Sequence, residues 1–150
     1  MSTVRDSAKQ HLEDLLTFFE VNTTVEASQE GDTILLSVDS DLSGHIIGHR
    51  GETLAALQHL VNMMVRKESD ERVYVHVDVG GYRKARLERL EIKAKKIASQ
   101  VRDQQREVIL PPMTPAERRH VHSILSEVEG VVTESRGEGS RRRLVVRPAD

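Results

Sequence analysis

Residues 72–81, "RVYVHVDVGG", constrain the fold more than any other stretch. Val73, Val75, Val77 and Val79 alternate with Tyr74, His76 and Asp78. Alternation with period two, carried by β-branched residues, predicts a strand with one face buried and one face wet. Such a strand needs a second layer over its valines, so the chain cannot be helix alone. Gly80-Gly81 stops the pattern, and the residues beyond switch to a helical period. There Leu87, Leu90, Ala94, Ile97 and Val101 make an apolar stripe on a helix of about 25 residues, long for a small globular protein. The chain therefore has a joint at Gly80-Gly81.

The same reading extends to both sides of the joint. Ala8, Leu12, Leu15, Leu16 and Phe19 place an amphipathic helix over residues 4–20. "TTVEASQ" and "TILLSVD", split by Glu30-Gly31-Asp32, predict a β-hairpin. Leu42 to Ile47 make one short helical turn. Leu54, Leu57, Leu60, Val61, Met64 and Val65 mark a second long helix. Beyond the joint, "VILPPM" ends the third, because proline cannot continue a helix. In "TPAE", Thr114 caps, Pro115 fills the first helical position and Glu117 completes a capping box. That helix runs through Val121, Ile124, Leu125 and Val128. Short strands near "VVTES" and "RRRLVVRP", joined by "RGEGS", close the chain. The predicted order is α-β-β-α-α-β over residues 1–80 and α-β-α-β-β over residues 81–150, two small α+β units.

Composition excludes several classes. No run of some 18 apolar residues could span a membrane, and the acidic N-terminus lacks the apolar core of a secretory signal. With no Cys there are no disulfides, thiolate metal sites or Cys catalysis, and the chain reads as cytoplasmic. The net charge of −2 argues against bulk attraction to a polyanion. Its distribution says more: residues 1–41 carry −7, residues 82–106 carry +6 and residues 136–150 carry +3. Basic blocks of this kind suggest a local anionic partner, or else a solvated helix face and a basic tail.

"GHIIGHRGETL", residues 44–54, puts two glycines and a cation at the mouth of a helix. A helix start presents unpaired N–H groups and the positive end of the dipole. Gly48 and Gly51 let an anion reach the backbone, and His49 and Arg50 stand between them. Arg50 can fork onto phosphate. Ile46, Ile47 and Leu54 would supply an apolar wall for a base. Only four residues are aromatic, Phe18, Phe19, Tyr74 and Tyr82, so base stacking on a platform of rings is not the expected mode.

In the second unit, Arg118 and His122 are four apart on one helix, about 40° from each other around the axis. Side by side they can hold one anion, or they can brace the small sheet. The tail adds Arg136, Arg141, Arg142, Arg143 and Arg147; on a strand Arg141 and Arg143 would share one face and Arg142 the other. No catalytic constellation is present. His45/His49 and His120/His122 lack ligand geometry, so no metal or cofactor is expected. No Lys-Ser/Thr follows Gly51, so the loop is not a Walker loop.

Gly48-His49-Arg50-Gly51 falls between two helices, after a hairpin and before a strand. Residues 4–79 thereby resemble a KH domain of the second type, whose GXXG loop clamps backbone nucleotides. Residues 82–148, with Arg118, three residues, His122 and then "VTESRGEGSRRRLVVRP", resemble the single-strand-binding domain called R-three-H. The two in this order resemble the Jag family of bacterial RNA-binding proteins. The resemblance implies an α+β, non-enzymatic protein that binds single-stranded RNA through Ile46, Ile47, Gly48, His49, Arg50, Gly51, Leu54, Arg118, His122 and Arg142. It implies a role in post-transcriptional regulation tied to cell elongation or envelope growth, often beside a small partner KH protein. Many members carry an extra N-terminal domain, and this chain resembles a short form that starts at the KH helix. His49 stands where Lys is common, which implies a weaker, pH-sensitive pull on phosphate. Two readings stay open beside it. One is a protein-interaction adaptor, favoured by the acidic first quarter; the other is a single-stranded DNA binder, since no residue visibly reads a 2′-OH. Oligomeric state is open.

Overall fold

The computed structural model describes residues 3–39 and 43–150, the side chain of Ser43 excepted. In chain order they form α1 (Val4–Phe18), β1 (Val25–Glu30), β2 (Thr33–Val38), α2 (Ser43–Ile47), α3 (Glu52–Glu68), β3 (Tyr74–Val79), α4 (Tyr82–Gln104), β4 (Val108–Ile109), α5 (Pro115–Ser126), β5 (Val131–Arg136) and β6 (Arg143–Pro148). The fold is α+β, in the order the sequence predicts. Leu42, where the short turn was expected to begin, lies outside the described residues. The chain divides into two compact units, Met1–Tyr82 and Arg83–Asp150.

In the first unit, Thr3 accepts from the Asp6 N–H and Asp6 accepts from the Thr3 N–H, a complete capping box for α1. Ala8, Leu12 and Leu16 are buried. Phe19, expected on the same stripe, sits past the last helical residue and is 43% exposed. β1 and β2 pair antiparallel from Val25↔Val38 to Glu30↔Thr33. That leaves Gly31-Asp32 as a two-residue turn, with Gly31 at φ 57°. β3 joins β2 in parallel, from Thr33↔Tyr74 to Val38↔Val79, giving the order β1-β2-β3. Ile34, Leu36, Val75 and Val77 belong to one core with Leu12, Leu16, Leu57 and Val61.

β3 is an edge strand, and α3 closes that edge. The Val75 N–H donates to Asn62 Oδ1 (2.8 Å), and Asn62 Nδ2 donates to the Val75 carbonyl (2.7 Å). The Val77 N–H donates to Gln58 Oε1 (3.0 Å). Backbone groups that would otherwise template another strand are thus paired within the unit. Leu60, expected on the buried stripe of α3, is 44% exposed, while Asn62 is inside.

In the second unit β6 lies between β4 and β5, all antiparallel. Leu144 and Val146 share a core with Ala94, Ala98 and Val101 of α4 and with Val121 and Leu125 of α5. α5 carries a second capping box, Thr114 with Glu117, and Pro115 in its first turn. Glu117 also pairs with Arg86 of α4 (2.5 Å), fixing α5 against α4. α5 ends at Ser126, so Val128, expected within it, packs on the core from the segment beyond.

Candidate nucleic-acid interface

α3 begins without a side-chain cap. Gly51 is its N-cap, at φ 78°, and has nothing to offer the first-turn donors. α1 and α5 both have capping boxes, and α3 has none. The approach is tightly wound: Gly48 has φ 71° and Arg50 φ 53°. The Gly51 N–H reaches back to the Gly48 carbonyl (3.4 Å) and the Glu52 N–H to the His49 carbonyl. Arg50 in the left-handed region carries strain of about 1 kcal/mol or more, a cost that clusters at functional loops. His49 and Arg50 are exposed. An anion meeting this turn finds outward N–H groups, a helix dipole and a guanidinium.

The expected apolar wall needs correction. Ile46 and Leu54 are 0% and 1% exposed and belong to the core. A groove lining needs accessible surface, so these two brace the loop from beneath and offer nothing to a base. Ile47 is half-buried. α2 turns the first isoleucine inward because a residue of its apolar pair must close the core over α3.

In the second unit Arg118, His122 and Arg142 line one cavity of about 360 Å³, together with Pro115, Arg119 and Ser135. Arg118 Nη1 donates to the Met113 carbonyl (3.0 Å), which holds the guanidinium at the helix start. His122 Nδ1 and Thr133 Oγ1 share a short hydrogen bond (2.5 Å), which leaves Nε2 as the ring nitrogen open to a ligand. Arg119 and Ser135 escaped the candidate set. Arg119 is three residues before His122, a spacing that shares a helix face. Ser135 pairs with Leu144 and so shares the core-side face with Thr133, which pairs with Val146.

The arginine tail divides. Gly139–Arg141 form a 3-10 turn and β6 begins at Arg143, so the strand alternation expected for Arg141, Arg142 and Arg143 does not apply. Arg143 Nη1 donates to the Ser140 and Arg142 carbonyls. Arg136, Glu134 and Arg147 alternate with the core-side residues and occupy the opposite sheet face. Arg136 forks onto Glu107 (2.9 and 3.1 Å) and also bonds Glu134, which keeps it far above even its usual pKa. The hydrogen bond from Arg136 in turn holds the Glu107 carboxyl below its ordinary range. Arg136 is thus engaged by acids away from the Arg118 cavity. Among the described residues no cluster of three or more His, Asp or Glu is placed to hold a metal ion.

A glycine turn at an uncapped helix start on a β-β-α-α-β frame, followed by an Arg/His cavity on a small antiparallel sheet, defines a KH module joined to an R-three-H module. Residues 5–77 match the KhpA/KhpB KH domain family, and residues 88–148 match the R-three-H domain family. The chain is 37% identical to RNA-binding protein KhpB of Clostridium symbiosum over 96% of its own length and 66% of the relative's. It is 30% identical to RNA-binding protein KhpB of Bacillus subtilis over 93% of its length and 68% of the relative's. The protein of the same name from Streptococcus pneumoniae is 30% identical over 91% of this chain, which spans 42% of that protein. The chain belongs to the KhpB family, the Jag family of the resemblance above.

Proposed function

We propose that the chain is a non-enzymatic single-stranded RNA-binding protein with two contacts, a KH module over residues 1–80 and an R-three-H module over residues 81–150. The observation that carries this reading is the Gly48–Gly51 turn, with positive φ at three of its four residues and an uncapped helix directly behind it. Gly48, His49, Arg50 and Gly51 grip backbone phosphate, Ile47 borders the turn, and Ile46 and Leu54 support it from the core. Arg118, His122 and Arg142 form the second anionic contact. The names of the relatives support RNA as the ligand. The role proposed for it is cytoplasmic post-transcriptional regulation linked to cell elongation or envelope growth, as the family resemblance implies. No helix among the described residues is long and apolar enough to cross a membrane. A small KH protein is the proposed partner, and the half-exposed Leu60 and Met63 of α3 give it an apolar strip to meet.

The test reverses the loop charge in the full chain, His49→Asp with Arg50→Asp, and measures retention of single-stranded RNA. Retention should fall at least tenfold with the circular dichroism spectrum unchanged, since phosphate contacts dominate such affinities. Wild-type retention in a folded variant removes the loop from the mechanism.

A further inference from the structure

The two loop glycines have crowded neighbours. A Cβ built on Gly48 would lie 2.2 Å from Thr53 Oγ1; one on Gly51 would lie 2.9 Å from Tyr82 Cε1 and 3.6 Å from the Tyr82 hydroxyl. The same position on Gly31, Gly44, Gly80, Gly81 and Gly139 meets nothing within 4 Å. Positive φ already calls for glycine at both loop positions, and crowding adds a second reason at Gly48 and Gly51 that the other glycines lack. Each glycine also makes room for a side chain that ends in, or carries, a hydroxyl group. Thr53 comes from the first turn of α3, and Tyr82 is the first residue of α4.

Neither hydroxyl has a hydrogen-bond partner among the described residues. The Tyr82 ring packs against the core of the first unit, which fixes where its hydroxyl stands. Packing explains the ring and not the oxygen, because phenylalanine would fill the same space. The same holds for Thr53, whose volume valine would match. Two unpaired hydroxyls thus bracket a turn that already presents backbone N–H groups, His49 and Arg50. The acid of that turn is Glu52, which is exposed. A phosphodiester has two non-bridging oxygens, each able to accept more than one hydrogen bond, and hydroxyls are short, rotatable donors to such oxygens.

We infer that Thr53 and Tyr82 are ligand contacts of the glycine loop, their hydroxyls donating to the non-bridging oxygens of the phosphate seated there. The inference rests on the RNA-binding reading of that loop. It gives the glycines a second purpose, which is to admit two donors to the ends of the site.

The experiment uses Tyr82→Phe, Thr53→Val and the double variant in the full chain, titrated by fluorescence anisotropy against a labelled single-stranded RNA of mixed sequence and a matched DNA. Thr53→Ser, which keeps the oxygen, guards against a fold defect in the valine variant. Each oxygen removed should weaken binding roughly three- to tenfold, since hydrogen bonds to charged acceptors exceed neutral ones. The loss should be equal on RNA and DNA, because both carry the phosphate, and Thr53→Ser should bind as wild type. A double variant within twofold of wild type, while His49→Asp with Arg50→Asp loses binding, overturns the inference and leaves the loop reading standing. A loss confined to RNA also overturns it, since that places the hydroxyls on the ribose. If the charge-reversed loop binds as wild type, the loop reading itself falls.

Discussion

Gly31, Gly51 and Gly48 share a positive φ and differ in what surrounds them, and Gly48, at φ 71° and ψ −173°, also lies in a region essentially open only to glycine, so alanine at each grades crowding and backbone strain together. At Gly31, φ is 57° and a Cβ meets open space; Gly31→Ala should cost about 1 kcal/mol, the left-handed penalty alone. At Gly51 the added methyl also meets the Tyr82 ring at 2.9 Å, a neighbour that can shift. At Gly48 it meets Thr53 Oγ1 at 2.2 Å and the Thr53 backbone nitrogen at 3.1 Å, and the helix start cannot yield. Gly48→Ala should therefore cost most, about 2–4 kcal/mol, with Gly51→Ala between the two. Urea unfolding followed by tyrosine fluorescence measures this well. The chain has no Trp, and its two tyrosines, Tyr74 and Tyr82, both lie in the first unit. Equal losses at all three positions would mean that neither the crowding nor the glycine-only backbone of Gly48 adds to the cost of a positive φ. The glycine spacing and its helix context were legible in the sequence because backbone conformation is a local matter. The clash partners were not, because Tyr82 reaches the loop only through the fold.

Elements show where periodicity stops informing. The valines of β3 were readable because a strand with two unlike faces has one solution. On α3, Leu54, Leu57, Val61 and Val65 fix the buried face, and Leu60 and Asn62 lie on its two flanks, 100° either side of Val61. Hydropathy places Leu60 inside. The structure chooses Asn62, because β3 is an edge whose Val75 N–H and carbonyl need partners that a leucine cannot supply. Asn62→Leu should then cost about 2–4 kcal/mol in the same urea assay, since it strands two buried backbone groups. A neutral result would mean water satisfies that edge. Ile46 and Ile47 illustrate the same limit: a five-residue helix is too short to declare its buried face by period. On the second sheet, the Arg136 hydrogen bond depresses the Glu107 carboxyl below its ordinary 4.5. A depressed acid adds stability above its unfolded pKa and loses it as pH falls through the folded value. Glu107→Gln should therefore melt below wild type at neutral pH, with the gap closing on acidification below about pH 4.5. A gap that is constant with pH would show that the pair is packing and not charge.

For the whole molecule, charge and connection decide affinity together. A net charge of −2 gives little general attraction to nucleic acid, and the acidic first 41 residues repel it, so binding must come from local sites. Each proposed site gathers one or two arginines beside a histidine, and a contact of that size is weak at physiological salt. Two such sites on one chain behave differently. Once one holds a strand, the other sees it at an effective concentration set by the connection, up to the millimolar range, without any new contact. The two-site reading therefore makes a prediction that neither site makes alone. On a long single strand, Arg118→Ala with Arg142→Ala and His49→Asp with Arg50→Asp should each lose on the order of a hundredfold in affinity. On oligomers too short to reach both sites, the arginine pair should matter little wherever the glycine loop is the occupied site. Anisotropy titrations across a series of oligomer lengths at fixed salt measure this directly. Because length changes nothing about either site's chemistry, a length-dependent penalty can arise only from bridging. A penalty that is the same at every length would mean that the two modules bind separate strands, and that joining them serves something other than affinity.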